Sequence, residues 1–256
     1  MFFKFSLIAS MAAAVLAAPS LYLVGDSTMA RSSSSSMQGW GEKIPQYLKD
    51  ITVVNRAIGG RSARSYWREG RWTSVQNSLK AGDFVLIEFG ESQRWWLPRT
   101  SDRASVGGEG SETQTVTLAD GTVETVYTWP TYVGWMIDGA KSKGATVIIS
   151  AQTPNNPYEN RDTISNSPTR FVTYAKNVAA KKGVPYVDHF ASCISLYTKL
   201  GKGVTESYFP NDHTHTNDAG ANQVAWAFLS GLQCPAAAGV LKQYVNDVGK
   251  GAGARC

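Results

Sequence analysis

Ser27, Asp212 and His215 are residue types that together can carry out acyl transfer. A serine hydroxyl is a weak nucleophile at neutral pH unless a base takes its proton as it attacks, and a carboxylate must hold that base in one tautomer. Ser27 sits in Gly25-Asp26-Ser27-Thr28-Met29, directly after the apolar run Leu21-Tyr22-Leu23-Val24. Asp212 and His215 come almost the whole chain later, in Asp212-His213-Thr214-His215. This separation on a turn lets an Asp212 carboxylate reach the His215 Nδ1 while Nε2 faces the serine. Gly-Asp-Ser alone is a weak signal, because Asp and Ser after a strand are also ordinary turn and cap residues. The distant acid and base give it weight. On spacing alone His213 competes with His215 for the base role; its alternative is a structural histidine bonded to backbone. His189, at a helix start after Val187-Asp188, reads as structural. Clustered His and carboxylate residues suit zinc, but no His-x-x-x-His helix spacing occurs, and no metal or other cofactor is expected.

Positioning these groups falls to the elements between them. Short β-branched and aromatic runs alternate with longer helical patterns, as in parallel βαβ units. Strands are predicted over 21–24, 52–55, 84–89, 146–150 and 185–187, and helices over 40–49, 73–80, 131–143, 168–182, 190–200 and 219–232. Residues 84–89 are almost continuously apolar, as a strand covered by helices on both faces must be. The fold class is therefore α/β, a three-layer α/β/α sandwich around a mainly parallel central sheet. In such sheets ligands bind outside the carboxyl ends of the strands, where Gly25-Asp26-Ser27 and Gly90 fall. Thr28-Met29-Ala30 is placed to begin a short helix whose amides favour negative charge developing at Ser27. Residues 32–36 read as a flexible loop beside the site. The polar, Gly-rich stretch 91–120 reads as a long loop, and a loop of that size needs a reason.

With 256 residues, 43% hydrophobic and 18% charged, the chain can bury one sizeable core, so a single catalytic domain is expected over 19–256. Residues 1–18 read as a signal peptide: Lys4, an apolar stretch over 5–16, then Ala17-Ala18 before Pro19. That stretch is too short to span a bilayer comfortably. A secreted, extracellular monomer without a membrane partner is expected. The net charge of +5, or +4 without Lys4, comes from scattered Lys and Arg, which argues against nucleic acid as a partner. In an oxidising compartment Cys234 and Cys256 can close the C-terminal tail onto the body, leaving Cys193 as a buried small hydrophobe. No N-glycosylation sequon occurs.

Three ordered blocks resemble those of the SGNH (GDSL-type) hydrolase superfamily: Gly25-Asp26-Ser27-Thr28-Met29, Asn55-Arg56-Ala57-Ile58-Gly59-Gly60-Arg61-Ser62-Ala63-Arg64-Ser65 and Asp212-His213-Thr214-His215. Within it the chain is most similar to fungal rhamnogalacturonan acetylesterases, from about Leu21 to Cys234. Gln152-Thr153-Pro154-Asn155-Asn156-Pro157 and Asn166-Ser167-Pro168-Thr169-Arg170-Phe171 share in the resemblance. It implies a flavodoxin-like fold and a secreted carbohydrate esterase acting on acetylated pectic polysaccharide, the rhamnogalacturonan backbone of pectin. The implied nucleophile is Ser27, the orienting acid Asp212 and the base His215. The backbone amides of Ser27 and Gly60 are the implied oxyanion donors. Arg61, Arg64 and Arg68 near the second block are placed either to meet galacturonate carboxylates or simply to be solvated. Alternatives are another SGNH esterase, acting on acetylxylan or lipid esters, or a catalytically impaired carbohydrate-binding homologue.

The fourth block departs from the pattern. After Val85-Leu86-Ile87-Glu88-Phe89-Gly90 the family places His-Asn-Asp, with the Asn side chain as third oxyanion donor, whereas this chain reads Glu91-Ser92-Gln93-Arg94-Trp95-Trp96. Ser92 stands in the register of that Asn, and losing such a donor costs roughly 100- to 1,000-fold in turnover. Ser92 to Leu97 can be encoded TCA CAA CGA TGG TGG CTC, and moving the frame by one base gives His-Asn-Asp-Gly-Gly. A misplaced splice junction or an indel is thus one hypothesis for the segment; an aromatic platform for a sugar ring, through Trp95 and Trp96, is another. An uninterrupted transcript encoding Glu91-Ser92-Gln93 would remove the first. The cysteine pair that family members can carry in this loop is absent.

Overall fold

The structure is a computed structural model that describes residues 18–90 and 101–256. Along β1 (Ser20–Gly25) successive side chains alternate between the two faces of the sheet, as strand geometry requires. Leu21 and Leu23 pack on one face with Leu86 of β3 (Phe84–Glu88) and Ile148 of β6 (Thr146–Ser150). Tyr22 and Val24 pack on the other with Val85, Ile87, Val147 and Ile149. Both sets are buried, so both faces need cover. With β2 (Thr52–Asn55) and β7 (Tyr186–Val187) these strands form a five-stranded sheet in the order β2-β1-β3-β6-β7, every pair parallel.

On the Tyr22 face lie α1 (Ala63–Arg68), α2 (Arg71–Ser78), α3 (Trp129–Ser142) and α4 (Arg170–Lys182). The Leu21 face packs against α5 (His189–Leu200), α7 (Asp218–Leu232) and Trp40. The short α6 (Lys202–Glu206) and α8 (Asp247–Lys250) complete the set. This is the α/β/α sandwich expected from the sequence. The chain leaves β1 for β2 on one side and then crosses to β3 on the other. The switch point therefore falls between β1 and β3, whose carboxyl ends open the crevice where such folds bind ligands.

Three local expectations change. Residues 40–49 form two 3-10 turns, Trp40–Glu42 and Ile44–Tyr47, rather than a helix. Pro45 has no amide to give Gly41 O, and Lys49 N donates away to Tyr244 O (2.8 Å), while the Trp40 and Gly41 amides donate to Thr28 O (3.0 Å) and Met29 O (3.2 Å). For the same reason Thr28-Met29-Ala30 makes one turn, closed by Ala30 N on Asp26 O (3.0 Å), and no helix: its next carbonyls already serve Trp40 and Gly41. The end of the expected loop 91–120 instead holds a strand, β4 (Thr113–Thr117), paired antiparallel with β5 (Val123–Tyr127) just beyond it as a hairpin. Each of its strands buries one valine, Val116 or Val126. Asp120-Gly121, with Gly121 at φ 84°, is the hairpin signal in the sequence.

A disulfide joins Cys234 to Cys256, and Ser192 and Ser230 donate to the tail carbonyls of Arg255 and Ala252, each at 3.1 Å. Cys193 is a buried free thiol. Among the described residues no helix is long and apolar enough to cross a membrane. The predicted signal segment lies outside the described residues except for Ala18, as do Ser92 and the two tryptophans beside it.

Candidate active site

The turn that carries Ser27 is held by a buried carboxylate. Asp26 accepts from Thr28 N (3.0 Å), Thr28 Oγ1 (2.9 Å) and Gly90 N (3.1 Å), tying the end of β1 to the end of β3. Burial pushes the Asp26 carboxyl above its ordinary range, against these hydrogen bonds. Gly25 is required just before it, since a Cβ there would stand 2.7 Å from the Glu88 carbonyl. Asn55, at the end of β2, donates to Met29 O (3.0 Å) and to Glu42 Oε1 (2.9 Å), bracing the turn from the other side.

Onto this turn the structure brings the Asp212–His215 segment. His215 Nε2 lies 2.7 Å from Ser27 Oγ, and His215 Nδ1 lies 2.7 Å from Asp212 Oδ2. The other carboxylate oxygen accepts from the amides of Thr214 and His215, both at 2.7 Å. Burial works to raise the Asp212 carboxyl, but the hydrogen bonds from His215 and Thr214 prevail and hold it below the usual range. The ionised Asp212 can only accept, so Nδ1 keeps its proton and donates to it, which leaves Nε2 as acceptor for the serine hydroxyl. His213 points elsewhere: its Nδ1 pairs with Glu159 Oε1 at 3.0 Å, and its carbonyl accepts from Asn156 N.

The second block lines the crevice opposite. Past β2 the chain still bonds to β1, through Arg56 N on Leu23 O (2.8 Å) and Ile58 N on Gly25 O (3.0 Å). This carries Gly59 against the serine, so that a Cβ on Gly59 would lie 3.7 Å from Ser27 Cβ. Gly60 follows at φ 72°, a left-handed conformation costing other residues roughly 1–2 kcal/mol. Of the three arginines considered for substrate carboxylates, Arg64 has no exposed surface. It bonds both Glu124 oxygens at 3.1 and 2.6 Å and the carbonyls of Ser101 and Ala104. Its place on the buried face of α1, not solvation, is the reason. Arg68 bonds Asp102, and Arg61 bonds Glu69 and the Gly59 carbonyl.

Two cavities flank the triad. One, of about 240 Å³, is walled by Ser27, Gly59, Thr214 and His215, with Ala30, Met37 and Val224 as apolar lining and Ser32 and Ser33 at its edge. The other, of about 280 Å³, is mixed, with Asn155, Glu159, Arg161 and His213 beside Pro154, Pro157 and Phe190. The Asp212–His215 turn therefore forms a wall of each.

Beneath the crevice lies a buried network that sequence reasoning missed. Glu88, 1% exposed, accepts from Trp40 Nε1 (3.1 Å) and Ser150 Oγ (2.5 Å) and pairs with His189 Nδ1 (2.9 Å). His189 Nε2 lies 2.9 Å from the Val224 carbonyl, which can only accept. Burial opposes a charge on His189, but Cys193 and the Glu88 carboxylate hold its imidazole well above the ordinary range. The one available signal was an acidic residue inside an otherwise apolar strand. Among the described residues no group of three His, Cys, Asp or Glu converges as a metal site would require.

Residues 23–222 match the profile of the GDSL-like lipase/acylhydrolase family. The chain is 46% identical over 231 residues to a rhamnogalacturonan acetylesterase of Emericella nidulans, covering 90% of this chain and 89% of that protein. It is 28% identical over 220 residues to YesY, a probable rhamnogalacturonan acetylesterase of Bacillus subtilis, covering 83% of this chain and 92% of YesY. Among solved structures, YxiM of B. subtilis superposes with a TM-score of 0.66 at 22% identity, over 84% of this chain and 56% of YxiM. Axe2, an acetylxylan esterase of Geobacillus stearothermophilus, superposes with a TM-score of 0.55 at 16% identity, over 86% of this chain and 97% of that one. At these identities the superpositions speak to the fold.

Proposed function

The chain belongs to the GDSL-like lipase/acylhydrolase family and is a carboxylic ester hydrolase, and from that premise we propose that it is a secreted acetylesterase of the rhamnogalacturonan backbone of pectin, working through Ser27, His215 and Asp212. The observation that carries the mechanism is the 2.7 Å approach of His215 Nε2 to Ser27 Oγ, with Nδ1 turned to Asp212. Ser27 Oγ attacks the acetyl carbonyl carbon while its proton passes to Nε2, and the imidazolium is stabilised by the Asp212 carboxylate. Negative charge on the carbonyl oxygen meets the backbone amides of Ser27 and Gly60. The imidazolium then protonates the departing sugar oxygen as the ester C–O bond breaks, leaving acetyl-Ser27. Water, deprotonated by His215, attacks the acetyl group and releases acetate, and the proton returns to Ser27.

The relative from E. nidulans supports the substrate assignment, and the partly exposed His215 suits a site that must admit a polymer. The Cys234–Cys256 bond supports an oxidising, extracellular destination. Acetate release is to be measured from acetylated rhamnogalacturonan, acetylxylan and short-chain lipid esters, with wild type and Ser27→Ala. Release from the first substrate that disappears in Ser27→Ala is the expected result. Preference for another ester would move the substrate assignment, and glycan binding without release would replace the esterase with a binding protein.

A further inference from the structure

Two guanidinium groups grip the second block from its carbonyl side. Arg61 Nη1 donates to Gly59 O at 3.2 Å while its Nε donates to Glu69 Oε2 at 3.0 Å. Arg103 Nη1 donates to the next carbonyl, Gly60 O, also at 3.2 Å. The Gly59 carbonyl and the Gly60 N–H belong to one peptide group. Arg61 therefore sits on the far side of the amide whose N–H faces the acetyl oxygen in the mechanism above. A donor on an amide oxygen draws charge toward that oxygen and makes the N–H a stronger donor, and a charged donor does so more than a neutral one. The contact also fixes the plane of the peptide, at a place where Gly60 has the conformational freedom of a left-handed glycine.

We propose that Arg61 is a positioning residue of the oxyanion hole, which orients and polarises the Gly59–Gly60 peptide and does not bind a substrate carboxylate. The proposal rests on the mechanism above, in which Gly60 N–H is a donor. Glu69 is the anchor, because its carboxylate also holds Arg71 and so fixes Arg61 from behind. Burial is the largest single influence on the Glu69 carboxyl and works to raise it, but the hydrogen bonds and charges of Arg71 and Arg61 together bring it below its usual range, so the anchor stays ionised.

An oxyanion donor is worth about 100- to 1,000-fold in turnover. Polarisation that strengthens a hydrogen bond by about 10–30% accounts for roughly 2- to 8-fold of that. Arg61→Gln is therefore expected to lower kcat by at least that factor with KM and the pH profile unchanged. Rates are taken per active site, counted by titration with a serine-reactive phosphonate. The same factor is expected on neutral 4-nitrophenyl acetate and on acetylated rhamnogalacturonan, and in the rate of phosphonylation, which also builds an oxyanion. Arg61→Lys, which keeps one charged donor, should recover part of the loss. An unchanged kcat, or a rise in KM confined to the carboxylate-bearing polymer, overturns the proposal. Should Arg61→Gln not fold, Glu69→Gln, which leaves Arg61 in place without its charged anchor, must lower kcat about 2-fold or more on both substrates; no loss again overturns it. If Ser27→Ala remains active, the mechanism beneath the proposal fails instead, and the two failures are told apart.

Discussion

Replacing Asp212 with Asn should disable the enzyme by reversing a tautomer and not by unfolding it. The carboxylate accepts two backbone amides on Oδ1 and His215 Nδ1 on Oδ2, each at 2.7 Å. Asparagine can keep its oxygen on the two amides, which leaves its NH2 facing the Nδ1–H of His215. Two donors cannot share that contact, so the ring proton moves to Nε2 and Nδ1 becomes the acceptor. Nε2–H then points at Ser27 Oγ and cannot take its proton. A positioned general base is worth about 10²- to 10⁴-fold. The loss of the counter-charge adds to this, but the Asp212 side chain is 42% exposed, so solvent screens that part. The expected result is a fall in kcat of roughly 10³- to 10⁴-fold, smaller than that of Ser27→Ala, with KM little changed. Acetate release per titrated site measures the loss, and ¹⁵N NMR of His215 reads which ring nitrogen carries the proton. A loss under about tenfold, with Nε2 still unprotonated, would refute the orienting role of Asp212.

Two further outcomes concern stability. The Cys234–Cys256 bond spans 22 residues of sequence, and closing a loop of that size stabilises by about 3 kcal/mol. Cys256→Ser should therefore lower Tm by roughly 6–12 °C while leaving kcat at 25 °C unaltered, because the segment after Cys234 packs beside Phe84 and Thr146 at the amino ends of the strands; calorimetry and acetate release check both. His189 is held well above its ordinary range when folded. The stability it contributes is then fully present below its unfolded value near 6.5 and is lost as pH rises through the folded value, with a slope of at most about 1.4 kcal/mol per pH unit. Urea unfolding of wild type from pH 6 upward should show this decline, and His189→Gln should lack it; parallel curves would contradict the ion pair with Glu88.

The chain's local order was readable without coordinates wherever the signal is itself local. The apolar runs at 21–24 and 84–89 mark strands because a strand covered on both faces has no polar positions to spare. Gly144 marks the end of α3 because it follows the cap Lys143 with a positive φ, whereas Gly82 sits in the turn beyond α2, which already ends at Ser78. Elements whose form depends on distant partners were not readable. Lys49 N leaves its own segment for Tyr244 O and Tyr47 O accepts from Asn246 N, so a helical pattern at 40–49 ends in 3-10 turns. The hairpin at 113–127 has one buried valine per strand, too little for a periodic pattern to register.

At the site, the sequence by itself determined which chemistry the residues can do, since a serine after a strand and an acid and imidazole in one tetrapeptide have those capacities in any fold. It also set which face each strand residue takes, because alternation is a property of the backbone. Only the tertiary structure decided that His215 and not His213 meets a serine 188 positions away. It decided too that Arg64 is buried while Arg61 turns onto the Gly59 carbonyl, and that Glu88 and His189 meet 101 positions apart beneath the crevice. Those outcomes depend on how layers pack across the sheet, where desolvation and partner geometry are set by residues far away in sequence.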